Sequence, residues 1–88
     1  MYATGKFICG KSTRDEDWVY DVTIWDGDKQ VALVGFNKNQ RKGALYWTEK
    51  EDDKTEAQKS ELWKYQDSIK DEVFQLAKNC LQRNNIIW

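Results

Sequence analysis

Trp18, Tyr20, Val22 and Ile24 alternate with Val19, Asp21, Thr23 and Trp25, and the dipeptide Asp26-Gly27 follows at once. A period of two commits this segment to an extended strand, because successive side chains on a strand point to opposite faces. Asp-Gly tolerates the positive φ of a tight hairpin turn, so the strand is expected to return on itself. A two-residue Asp26-Gly27 turn places Val22 opposite Val31 and Tyr20 opposite Leu33, a register that gathers apolar side chains on one face. Thr23, Trp25, Asp28 and Gln30 then share the other face, where Trp25 has few apolar neighbours and is expected to be exposed.

Two further segments read as strands, "GKFICGKS" before the hairpin and "GALYWTEK" after the Lys38–Lys42 turn. Together they make an antiparallel β-meander of about four strands within residues 3–50. The face taken by Tyr46 and Trp47 depends on the length of that turn and stays open. From Thr55 the period changes: Leu62, Tyr65, Ile69, Val73, Leu76 and Cys80 recur at helical spacing, the apolar stripe of one long helix over about 55–83. Thr55 and Gln58 form a capping-box pattern, and Glu51, Asp52, Asp53 and Glu56 lie near the positive end of the helix dipole. Asn84-Asn85 can supply a left-handed stop, after which the apolar tail 86–88 is free to turn back. The expected fold is a single α+β domain over residues 1–88, its meander packed on the C-terminal α-helix.

Trp63, Phe74, Ala77 and Leu81 fall on a second arc of that helix, outside the main stripe, and one sheet face is too narrow to cover both. Either the tail Ile86-Ile87-Trp88 folds back over this arc or another molecule covers it.

With 88 residues the chain supports one modest core and no deep substrate cavity. Fourteen basic and fifteen acidic side chains leave a net charge of −1, so no global field draws the chain to a polyanion or a membrane. No apolar run reaches the length of a membrane span, and no charged-then-apolar leader opens the sequence. The expectation is a cytoplasmic protein with Cys9 and Cys80 as reduced thiols; a Cys9–Cys80 disulfide is the alternative.

Histidine is absent, which removes the usual general base, the commonest metal ligand and the histidine-assisted nucleophiles. Two distant cysteines make no zinc site, and the glycine-rich phosphate loops are missing. Carboxylates remain: Asp15, Glu16 and Asp17 before a strand, and Asp26 and Asp28 around the hairpin glycine. Runs of this kind are ordinarily polar turns, so neither an enzyme activity nor a cofactor is expected.

Five tryptophans and four tyrosines in so short a chain point instead to binding, since these residues are favoured interface anchors. The leading expectation is a small non-enzymatic protein acting through protein–protein contact or self-association, with Trp25, Trp63, Phe74, Leu81 and Trp88 as interface candidates. The alternative is a single-stranded nucleic-acid binder, which needs aromatic platforms beside basic side chains. Trp25, Phe36 and Tyr46 are its candidate platforms; Lys11, Arg14, Lys38, Arg41 and Lys42 are its candidate phosphate contacts. An ordinary solvated turn is the favoured account of the basic cluster, because "NKNQRKG" carries the Asn and Gly that turns require and nearby Asp15, Glu16, Asp17, Asp26 and Asp28 would repel a phosphate backbone. The hairpin "GFNK…KGALY" is similar to turns in small proteins of plasmids and phages, over about a dozen residues. That resemblance implies a mobile-element protein, such as a phage-type inhibitor or adaptor of a host factor, and assigns no residue a role.

Overall fold

The computed structural model, which describes residues 1–39 and 42–87, contains β1 (Tyr2–Cys9), β2 (Val19–Asp26), β3 (Lys29–Asn37), β4 (Ala44–Trp47) and α1 (Glu56–Arg83). The strands form one antiparallel sheet in the order β1-β2-β3-β4, and the helix lies across one face, an α+β fold.

The first hairpin corrects the register expected from Asp26-Gly27. Asp26 itself pairs with Lys29, so the two turn residues are Gly27 and Asp28, with Gly27 at φ +63°. Glycine in the first turn position with positive φ is the requirement of a type II′ turn, whose twist suits the flanking strands. Between the Trp25–Gln30 and Ile24–Ala32 pairs β3 carries an extra residue, Val31, in a bulge. The two shifts together bring Ala32, Val34 and Phe36 opposite Ile24, Val22 and Tyr20, instead of Val31 and Leu33. Packing explains the outcome. The expected set runs Val31, Leu33 and then Gly35, which has no side chain to bury, whereas the observed set ends on Phe36.

Trp18, Tyr20, Val22, Ile24, Ala32, Val34 and Phe36 supply the sheet side of the core, and Val73, Ala77, Cys80 and Leu81 the helix side. Phe7 adds edge-on contacts to Tyr20 and Trp18, with ring centroids 4.8 and 6.4 Å away. The apolar stripe read from the sequence is only partly the buried one: Tyr65 is 48% exposed, while Ala77 and Leu81 from the second arc are buried.

The ends of α1 are chemically fixed. The Thr55 hydroxyl accepts from Gln58 N–H, and the Gln58 side chain accepts from Thr55 N–H, completing the capping box. At the other end Asn85 takes φ +57°, Asn85 N–H donates to Gln82 O, and Ile86 N–H donates to Leu81 O. This pair of bonds is a Schellman motif, and it folds Ile86 back beside Leu81. Ile86 is buried within the core cluster, whereas Ile87 is 93% exposed. The tail therefore covers the Leu81 end of the second arc. Trp88 lies outside the described residues.

Geometry leaves Trp63 and Tyr65, toward the other end of the helix, half exposed. Twenty-eight helical residues span about 42 Å, against about 27 Å for the eight residues of β2. The Cα trace of α1 comes within 8 Å of β1, β2 and β3 but not of β4. The N-terminal half of α1 thus stands away from β4, and a groove opens between them.

Among the described residues no helix is long and apolar enough to cross a membrane.

Candidate functional site

Leu45 and Trp47 pair with Val34 and Ala32, which face the helix, so both side chains point into this groove. Trp63, Gln66, Lys70 and Phe74 come from the facing side of α1, at the spacings that line up on one helix face. Together with Gly43 and Asp67 they enclose an open volume of about 640 Å³. Leu62 closes one end against Trp47 and Gln66, where a second hollow of about 340 Å³ runs from Tyr46 past Trp47 to Glu51 and Trp63.

Trp63 is held in place although it is 48% exposed: its indole Nε1–H donates to Glu51 Oε2 at 3.0 Å. Glu49 binds Lys54 Nζ at 2.9 Å, and that ammonium keeps the Glu49 carboxyl below its ordinary pKa. The segment between β4 and α1 is therefore tied down on both sides of the groove mouth. An aromatic ring already ordered in the free protein loses less entropy when a partner arrives.

The sheet face opposite the helix carries a second aromatic surface. Tyr2 stacks on Trp25 with centroids 6.4 Å apart, and Trp25 Nε1–H donates to Thr4 Oγ1 at 2.9 Å. Tyr46, 57% exposed, stands beside Leu33 on the same face. Alternation along β4 puts these neighbouring aromatics on opposite faces, and the pairing with β3 settles which: Tyr46 goes to the open face and Trp47 to the groove.

The interface candidates are dispersed. Trp63 and Phe74 line the groove, Trp25 lies on the other face, and Leu81 is 3% exposed beneath Ile86, which corrects its assignment as a contact residue. Of the nucleic-acid candidates Phe36 is 1% exposed in the core and offers no ring to a base. Lys11, Arg14, Lys38 and Lys42 are exposed, but Lys38 Nζ donates to the Asp15 carbonyl at 3.1 Å. Arg41 lies outside the described residues. Asp15 accepts from the Lys11 and Ser12 amides, which lower its pKa, and so acts as the pin of a loop. No cluster of potential metal ligands occurs among the described residues, and Cys9, exposed, and Cys80, buried, are both unpaired.

Leu45 and Trp47 were not singled out by sequence reasoning. The usable signal was the β3 register, since once Ala32, Val34 and Phe36 face inward, Leu45 and Trp47 follow by alternation. Comparison with protein-family models, curated proteins and solved structures finds no match to this chain.

Proposed function

We propose that this chain is a non-enzymatic protein-binding domain that seats its partner in the groove between β4 and α1. One observation carries the reading: Leu45, Trp47, Trp63 and Phe74 converge on a single open hollow of about 640 Å³, with Trp63 pre-oriented by Glu51. Aromatic anchors that sit in a pocket and are already ordered are the residues that dominate binding energy at protein interfaces. Acting in the cytoplasm as a small inhibitor or adaptor of a host factor, in the manner of a phage-type protein, suits a domain without catalytic chemistry. The resemblance of its second hairpin to those of plasmid and phage proteins supports that setting.

Affinity capture from the host, with nuclease and at high salt, tests the reading. Retained protein should survive both treatments, disappear with Trp63→Ala, and persist with the paired Lys38→Gln and Lys42→Gln substitutions. An apolar interface is little affected by ionic strength, whereas each phosphate contact to a single strand gives a slope of about −0.7 in log K against log salt. Capture that needs nucleic acid, weakens with salt and is lost with the lysine substitutions would overturn the groove reading.

A further inference from the structure

The two edges of the sheet differ. Edge strand β1 contains Lys6, bulges between Phe7 and Cys9, and has its Ala3 carbonyl engaged by Arg83 at 3.3 Å. A charge, a bulge and a covering side chain are the usual protections against strand addition. Edge strand β4, Ala44-Leu45-Tyr46-Trp47, has neither charge nor bulge, and among the described residues no strand lies beyond it. Thr48 N–H bonds to Val31 O, so by antiparallel alternation Tyr46 and Ala44 also bond inward, and the backbone groups of Leu45 and Trp47 face the free edge.

We propose that this edge pairs with β4 of a second copy of the chain, antiparallel about a two-fold axis at Leu45. A two-fold axis normal to the sheet keeps each face in register, so odd residues must meet odd residues. Centred on Leu45, the pairing sets Leu45 opposite itself, Trp47 opposite Gly43 and Tyr46 opposite Ala44. Each aromatic side chain meets a small residue, twice over. Leu45 exchanges both outward backbone hydrogen bonds with its counterpart, and each Trp47–Gly43 pair does likewise. Sliding by one two-residue step toward the C-terminus sets Tyr46 opposite itself and Trp47 opposite Leu45, so large side chains meet large ones. Sliding the other way carries Trp47 past Lys42 and shortens the ladder.

Gly43 fits the role. A Cβ at this position would lie 2.9 Å from Phe36 Cε1 and 3.0 Å from Val34 Cγ1, so these two side chains of the same copy already pack over Gly43 and leave no room for a side chain there. A Trp47 ring from the second copy therefore meets no side chain at residue 43 itself. Within the chain the Tyr20 ring likewise lies over Gly5 across β1 and β2. The two grooves then meet at the axis and form one continuous trough over an eight-stranded sheet, since four strands come from each copy. This pairing goes beyond the groove's role in binding a foreign protein and stands apart from it.

The experiment combines sedimentation equilibrium with directed cross-linking in a Cys9→Ser background. The protein should show a concentration-dependent dimer. Chains with Ala44→Cys mixed with chains with Tyr46→Cys should form the mixed disulfide on mild oxidation, well above either alone, because those positions are opposed. In the unaltered protein the Leu45 and Trp47 amides should gain protection from hydrogen exchange as concentration rises, a readout independent of any variant. A monomer at every concentration, or a dimer without the mixed disulfide and without that protection, overturns the proposal. A dimer that captures no host protein leaves the pairing intact and sinks the groove reading; a monomer that captures one through Trp63 does the reverse.

Discussion

The ring of Tyr20 rests on the backbone of Gly5: a Cβ at residue 5 would stand 2.3 Å from Tyr20 Cε1 and 2.5 Å from its hydroxyl oxygen. Tyr20 is 3% exposed and also meets Phe7 edge-on, so it has no free volume into which to retreat. Gly5→Ala should therefore destabilise the fold by about 1–3 kcal/mol, the range for an overpacked core. Denaturant unfolding gives the value, and an unchanged midpoint would show that the ring slides aside without cost.

The tail makes a sharper pair of predictions. Ile86 N–H closes the Schellman motif on Leu81 and its side chain is 5% exposed, while its neighbour Ile87 is 93% exposed. Ile86→Ala should cost about 2–5 kcal/mol and Ile87→Ala less than about 0.5 kcal/mol. Equal effects on the unfolding midpoint would contradict the clasp.

Thr55 links sequence directly to stability. Its hydroxyl accepts from Gln58 N–H at 3.2 Å and the reciprocal bond is 2.9 Å, both at an exposed helix end with no packing to confuse the result. Thr55→Ala should lower stability by about 1 kcal/mol. Thermal melts followed by far-UV circular dichroism read this as a shift of the whole transition.

Local chemistry made the meander, the long helix, its capping box and its left-handed stop legible in the sequence, because each rests on residues a few positions apart. Register was less legible. Asp26-Gly27 signalled a turn, but the choice between Leu33 and Phe36 for the core depends on what faces them from Tyr20 and from α1, which is a tertiary matter. The groove inherited that uncertainty, since the inward direction of Leu45 and Trp47 follows from β3. Trp63 was readable as an aromatic outside the main helical stripe. Its neighbours were not, because the overhang of α1 beyond the sheet reflects the relative lengths and the crossing of whole elements. Leu81, on the same arc, differs from Trp63 only in lying where the tail returns.

Asp15 and Asp21 should respond to pH with opposite signs. Asp21 lies opposite Lys6 on the open sheet face, and its carboxylate oxygen is 3.3 Å from where a Gly35 Cβ would be. Partial burial raises its pKa above the ordinary 3.8 more than the Lys6 charge lowers it. A raised carboxyl pKa favours folding when the group is protonated, so this stability is full below 3.8 and is lost as pH rises through the folded-state value. Asp21→Asn should therefore stabilise the protein at neutral pH, with the gain shrinking to nothing in acid. Asp15 is the reverse case: the Lys11 and Ser12 amides lower its pKa, so its contribution is present above 3.8 and is lost as pH falls through the lower folded-state value. Asp15→Ala should destabilise at neutral pH and become neutral in strong acid. Unfolding free energies of both variants across an acid-to-neutral series provide the check. If Asp21→Asn instead destabilises the protein at neutral pH, the Lys6–Asp21 attraction outweighs burial and the carboxylate, not the acid, is the form that favours folding.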